Sequence, residues 1–250
     1  MSSAPGDPNS RRVESVLTER RAGAPTGAAN ASDPHNPHLA QPLLELGASV
    51  DVARVAAVLV HGRRQAPEYM RELVVARLPR HDVAYRLPRA AANTWYPEWF
   101  LAPVEQNQPW LDHSLATLDA IVGGLEAQGF ERGRQVLVGF SQGGCVVAEY
   151  VLRHPARYGG VVVCTGGLAG PPRTTWDPSG DLAGTPMLVT TSERDPWVPP
   201  WRVFETVAVF ERMGAAARHR IFPGGDHTVR RREVEEITQV LDRVAAARPA

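Results

Sequence analysis

The sequence predicts an α/β fold: a doubly wound, mostly parallel sheet with helices on both faces, in a single domain. Three observations predict it. Strands are expected near residues 55, 83, 136, 161, 187 and 219, and those near 55, 136 and 161 have the apolar character of buried strands. Stretches of helical spacing separate them, and strand, helix and strand in that order imply right-handed crossovers and parallel pairing. One run, Val136-Leu137-Val138, ends abruptly in Gly139-Phe140-Ser141-Gln142-Gly143, a glycine-flanked serine between a strand and a helix.

The bulk numbers set the limits. With 250 residues, 43% of them hydrophobic, the chain can bury one full core. Its 27 basic and 27 acidic residues cancel, so it lacks the basic excess that marks nucleic-acid or anionic-membrane partners. Every basic residue is arginine, which excludes lysine Schiff-base and P-loop chemistry. Cys145 and Cys164 sit in apolar runs and read as small buried hydrophobes, not as a disulfide framework or metal ligands. No run approaches the roughly 18 apolar residues of a bilayer span. The N-terminal residues lack a signal-peptide core, so a cytoplasmic location without stable membrane insertion is expected.

Taken in order, residues 1–34 are poor in large apolar groups and are expected to be a disordered tail, leaving 35–250 as the domain. Pro42-Leu43-Leu44-Glu45-Leu46-Gly47 opens the folded region without an assignable conformation. A strand over 52–60 stops at His61-Gly62-Arg63-Arg64. Tyr69, Met70, Leu73, Val74 and Arg77 then recur at helical spacing over 67–78, with Pro79 as the stop. A strand over 82–87 follows. Residues 89–110 carry Trp95, Tyr96, Trp99, Phe100 and Trp110 in a stretch too irregular for helix or strand, the mark of a wall or lid of a binding site. Leu111, Leu115, Leu118, Ile121, Val122 and Leu125 form the stripe of a helix over 111–128, ended by Gly129. The strand over 134–138 leads to the serine, and residues 145–152 continue as a helix ended by His154-Pro155. Next come a strand over 160–164, a loop over 165–184, a strand over 186–191, a helix over 202–213, a strand over 218–222 and a closing helix over 233–247.

The pattern Gly-x-Ser-x-Gly reads as a nucleophile elbow, a turn so tight that neighbouring side chains must be hydrogen atoms. A serine hydroxyl needs a base, and the base an orienting acid. In such sheets these groups collect beyond the carboxyl ends of the strands. Asp195 follows the strand over 186–191 and His227 follows the last strand, so Ser141, Asp195 and His227 occur in the order expected of this architecture. Glu193 and Asp226 are the neighbouring alternatives to Asp195. Among the eight histidines, His35, His38, His81, His113, His154 and His219 fall on tail, loop or helix positions that suit exposed or capping roles. His61 belongs to a loop expected to supply one N–H of an oxyanion hole, from His61-Gly62-Arg63, alongside the N–H of Gln142. Gly62 permits the close approach, and the His61 imidazole is expected to bond loop backbone.

Five segments together resemble the phospholipase/carboxylesterase family of α/β-hydrolases, relatives of the acyl-protein thioesterases, over residues 38–244. They are Leu59-Val60-His61-Gly62-Arg63, Asn93-Thr94-Trp95-Tyr96-Pro97, Gly139-Phe140-Ser141-Gln142-Gly143, Asp195-Pro196-Trp197-Val198-Pro199 and Gly224-Gly225-Asp226-His227. The resemblance implies the α/β-hydrolase fold, Ser141 as nucleophile, Asp195 as acid, His227 as base and Arg63 as the second oxyanion donor. It also implies hydrolysis of carboxylic esters or thioesters without a cofactor. The aromatic loop with Phe100, Leu101 and Gln106 is similar to a bacterial branch with mostly small or undefined substrates, so acyl-protein deacylation does not carry over. Where many relatives have a second small residue after Arg63, this chain has Arg64, whose bulk is expected to alter the oxyanion loop or narrow the acyl entrance.

The expectation is thus a carboxylesterase or lysophospholipase-like serine hydrolase for small or medium acyl groups. Trp95, Tyr96, Trp99, Phe100 and Trp197 are expected as pocket walls. A small-molecule ester or thioester is the expected partner, with no nucleic acid, no metal and no cofactor; a homodimer is left open. The rivals are an acyltransferase on the same triad and a non-catalytic ligand-binding protein of the same fold.

Overall fold

Alternation along the strands decides which face each helix takes. The computed structural model describes residues 20–22 and 35–247. Its strands are β1 (Arg20–Ala22), β2 (Leu43–Gly47), β3 (Val55–Val60), β4 (Val83–Leu87), β5 (Gln135–Phe140), β6 (Gly160–Cys164), β7 (Pro186–Ser192) and β8 (Ala216–Phe222), side by side in the order β1-β2-β4-β3-β5-β6-β7-β8. From β4 across to β8 all pairings are parallel, whereas β1 and β2 join antiparallel at one edge. Val55, Ala57, Leu59, Val136 and Val138 point to one face, where α1 (Pro67–Leu73) contributes Met70 and α5 (Arg231–Ala246) contributes Val234, Ile237 and Val240. Ala56, Val58, Val60 and Leu137 point to the other, under α2 (Trp110–Ala127), α3 (Gln142–Arg153) and α4 (Pro200–Arg212), with Leu118, Val146 and Phe210 among the contacts. β3 and β6, covered on both faces, have no use for polar residues and read as unbroken apolar runs, whereas β8, partly exposed, carries Arg218, His219 and Arg220.

Four local features depart from the sequence expectation. Residues 43–47 form β2, an antiparallel strand specified by its pairing with β4 on one side and β1 on the other. The helix expected over 67–78 stops at Leu73, because Val74 adopts φ −117°, and only one 3₁₀ turn, Val75–Arg77, follows; adjacent β-branched valines favour that break. The elbow helix starts at Gln142 instead of 145, since Gly143 and Gly144, poor helix formers on their own, lie inside it. Arg20–Ala22 is a short edge strand within the expected tail; the remainder of 1–34 lies outside the described residues.

The aromatic stretch is largely core. Trp95 is fully buried, and its indole N–H donates to the His61 carbonyl at 2.8 Å. Its ring lies between the imidazoles of His38 and His61, with centroids at 5.3 and 5.1 Å. Both histidines are themselves bonded to backbone. His38 Nε2–H donates to the Trp95 carbonyl (3.1 Å) while Nδ1 accepts from the Ala91 N–H (2.9 Å). His61 Nδ1–H donates to the Gly62 carbonyl (2.7 Å) while Nε2 accepts from the Ala90 N–H (3.1 Å). Two expectations are corrected here. Trp95 is not a pocket wall, because its one polar atom is spent on the His61 carbonyl and its faces on two imidazoles. His38 is not exposed or capping, because it is the buried peg on which the loop is seated.

Among the described residues no helix is long and apolar enough to cross a membrane.

Burial holds His38 and His61 neutral, lowering each pKa from 6.5 to about 4 against the smaller opposing pull of their backbone bonds. A base whose folded pKa is depressed binds fewer protons folded than unfolded, so stability is complete above pH 6.5 and is lost as pH falls toward 4. The slope is roughly 1.4 kcal/mol per pH unit for each histidine. Urea denaturation between pH 7 and 4.5 should show this decline, and His38→Gln or His61→Asn should flatten it; an unchanged slope in both variants would refute the assignment.

Candidate active site

Between the last residue of β5 and the first of α3 stands a single residue, Ser141, with φ 53° and ψ −122°. A non-glycine residue in that region is strained by about 1–3 kcal/mol and persists only where the surroundings enforce it. Here the Ser141 N–H donates to the Cys164 carbonyl (2.9 Å), and the Ser141 carbonyl accepts from the Cys145 N–H (3.0 Å). The flanking glycines are obligatory. A Cβ on Gly139 would sit 2.4 Å from the Gly143 carbonyl oxygen, and one on Gly143 would sit 2.3 Å from that of Val60.

His227 lies in the loop after β8, and Asp195 in the loop after β7. The Ser141 hydroxyl is 2.8 Å from His227 Nε2, and His227 Nδ1 is 2.9 and 3.1 Å from the two Asp195 carboxylate oxygens. An ionised carboxylate only accepts, so these partners assign the proton to Nδ1 and leave the Nε2 lone pair facing the serine hydroxyl. The Asp195 side chain is fully buried. Burial alone pushes its carboxyl up, but hydrogen bonds from His227 and from the N–H groups of Val198 and Trp197, both at 2.9 Å, outweigh it and hold the pKa below the usual value. Of the neighbouring acids, Glu193 accepts from the Gly224 N–H at 3.4 Å, and it is Asp195, not Asp226, whose carboxylate reaches His227.

The loop after β3 meets the elbow at Gly62, where a Cβ would come within 3.1 Å of Ser141 Cβ. The Gly62 N–H donates to Gln65 Oε1 and the Arg64 N–H to the Asn93 carbonyl, whereas the Arg63 N–H has no hydrogen bond among the described residues. The Gln142 N–H, at the first position of α3, has no partner within its helix. Two amides beside the serine are therefore available to an oxyanion. The Gln142 side chain has a task that its sequence did not betray. Its Oε1 accepts from the Trp95 N–H (3.0 Å) and its Nε2 donates to the Tyr96 carbonyl (2.7 Å), tying the aromatic loop to the elbow.

A cavity of about 480 Å³ opens over Ser141 and His227. Tyr96 and Phe100 line it from within the core, together with Cys145, one helical turn beyond the serine and pushed up to about pKa 11 by burial. Trp99 and Trp197 stand at its mouth, 49% and 59% exposed, joined by a hydrogen bond from the Trp99 indole to the Trp197 carbonyl (3.2 Å). Arg64 also lines it, with φ 58°. Cys145, Phe140, Gln65 and Val198 were not foreseen as lining residues; only Cys145, four residues after Ser141 on one helix face, carried a signal.

A family model of phospholipases and carboxylesterases matches residues 66–245. Among solved structures, the chain is similar to a phospholipase/carboxylesterase from Dyadobacter fermentans at 36% identity, covering 80% of this chain and 95% of that one with a TM-score of 0.73. It is also similar to a carboxylesterase from Mesorhizobium loti (20% identity, 80% and 94% covered, TM-score 0.63) and to SOBER1 of Arabidopsis thaliana (18%, 77% and 99%, 0.63), likenesses of fold alone. No curated protein shows significant sequence similarity to it. The matched span runs from the start of α1 to the last turn of α5 and takes in Ser141, Asp195 and His227. This chain, with its α/β-hydrolase fold, belongs to the phospholipase/carboxylesterase family of ester hydrolases.

Proposed function

We propose that the protein hydrolyses carboxylic esters of small or medium acyl groups, thioesters included, through an acyl-serine intermediate. The observation that carries this is the continuous contact from Ser141 Oγ through the His227 imidazole to the buried Asp195 carboxylate. Ser141 Oγ attacks the ester carbonyl carbon as its proton passes to His227 Nε2. Negative charge gathers on the carbonyl oxygen, which accepts hydrogen bonds from the Gln142 and Arg63 N–H groups. Collapse of this adduct breaks the carbon–oxygen bond, and the leaving alcohol takes the proton from His227. A water molecule, deprotonated by the same nitrogen, then attacks the acyl carbon and frees the acid and Ser141. Asp195 holds the imidazole in the tautomer this cycle needs and stabilises the imidazolium.

The substrate is a small molecule seated among Tyr96, Phe100 and Cys145, with its free end toward Trp99 and Trp197. The apolar inner wall suits an alkyl acyl or alcohol group.

Ser141→Ala should abolish turnover of p-nitrophenyl butyrate and labelling by a fluorophosphonate probe while leaving the unfolding transition intact. Asp195→Asn should lower kcat about 10³- to 10⁴-fold, by analogy with serine proteases. Retention of turnover in Ser141→Ala would remove the proposal. Labelling without hydrolysis would instead direct attention to acyl transfer, read from products formed with added alcohols. Trp99→Ala should raise KM for longer acyl esters and leave acetate esters little changed; equal effects across an acyl series would exclude Trp99 from substrate contact.

A further inference from the structure

His227 sits on the segment between β8 and α5, next to Gly224 and Gly225, and what steadies its backbone comes from side chains. The Arg230 guanidinium donates through Nη2 to the Asp226 carbonyl and through Nη1 to the Thr228 carbonyl (3.3 Å), the carbonyls of the two residues that flank His227. The Ser192 hydroxyl, at the end of β7, donates to the same Asp226 carbonyl at 3.0 Å. The guanidinium is itself fixed. It lies over the Phe222 ring at 4.7 Å, and its Nη1 is 3.7 Å from Glu233 Oε2.

Glu233 is a buried carboxylate that the proposed reaction does not use. Its side chain is fully enclosed, and its oxygens accept from the Arg230 N–H (2.7 Å) and from the Thr190 hydroxyl of β7. Thr190 in turn accepts from the Thr165 N–H (3.3 Å), directly after β6, the strand whose Cys164 carbonyl receives the Ser141 N–H. The chain Arg230, Glu233, Thr190 thus links the His227 loop, the strand that carries Asp195 and the strand that supports the elbow. Capping α5 needs only the Glu233 contact with the Arg230 N–H. It does not require a guanidinium spanning the carbonyls on both sides of His227.

We propose that Arg230 is a positioning residue for His227, with Glu233 as the buried counter-ion that fixes its guanidinium. The proposal rests on His227 acting as the base. Without the fork, the 226–228 backbone keeps, among the described residues, only the Ser192 hydrogen bond, and the imidazole spends less time within reach of both Ser141 and Asp195. Proton transfer suffers, whereas substrate binding, set by the aromatic walls, does not.

The test measures kcat and KM for p-nitrophenyl butyrate, the rate of fluorophosphonate labelling and the unfolding transition in Arg230→Gln, Arg230→Lys and Glu233→Gln. The expected result for Arg230→Gln is a loss of about ten- to a hundredfold in kcat, the scale of small misplacements of a reacting group. KM should stay within about twofold, labelling should slow in parallel with kcat, and Arg230→Lys should recover part of the loss. A merely structural role predicts a lower unfolding temperature with kcat unchanged in the folded protein, and that result overturns the proposal. Should Arg230→Gln fail to fold, Arg230→Lys and Glu233→Gln decide by the same split. If the unsubstituted protein shows no Ser141-dependent turnover, the ester-hydrolase assignment falls and this inference with it; Ser141-dependent turnover that all three variants retain refutes the positioning role alone.

Discussion

The whole site depends on how closely the backbone of α3 can approach the backbone at the end of β3. Only hydrogen fits on Gly143, with the Val60 and His61 carbonyl oxygens 2.3 and 2.4 Å from where a Cβ would be. That contact seats the helix start beside the loop after β3, so that Gln142 and Arg63 line the same cavity as Ser141. It also forces the backbone reversal whose strain Ser141 bears. Remove the contact and the amide pair, the exposed hydroxyl and the mouth of the cavity lose their common reference.

Around this junction, buried polar groups do the work of orientation. Trp95 between two neutral histidines and the Gln142 side chain reaching Trp95 and Tyr96 convert an irregular loop into a fixed wall. On the far side Arg202, fully buried, donates to the Leu168 and Gly170 carbonyls and so shapes the loop after β6. Such groups are costly to bury, and apolar replacements of the same shape often stabilise a protein more. Their return is a single loop arrangement, and with it a cavity of fixed shape next to the serine.

Charge is handled differently at the two buried carboxylates near His227. Asp195 stays ionised despite burial because three hydrogen-bond donors converge on it. Glu233, also buried, has its carboxyl pushed up, since the bonds from Thr190 and Arg230 do not outweigh desolvation. Both carboxylates accept several hydrogen bonds, so the contrast lies in desolvation, which prevails at the fully enclosed Glu233, whose guanidinium stays at 3.7 Å, and is outweighed at Asp195 by the His227 imidazole and two backbone N–H groups.

The order of strands and helices, the elbow and the loops that carry Asp195 and His227 were legible in the sequence, because each depends on local pattern. Continuous apolar runs mark strands covered on both faces, and Gly139 and Gly143 are what a turn at Ser141 demands. The sequence also favoured Asp195 over Glu193 and Asp226, and only the fold brings its carboxylate to 2.9 Å from His227. What the tertiary structure decided lies in contacts between distant segments. Leu43–Gly47 is a strand because β4 and β1 pair with it from either side. Trp95 turned inward because His38, 57 residues away, donates to its backbone carbonyl, the carbonyl of His61, 34 residues away, accepts from its indole N–H, and the two imidazoles flank its ring. An exposed aromatic and a buried one look alike in a chain of letters; the difference is whether a partner for the indole N–H lies on the core side, and that partner is supplied by folding.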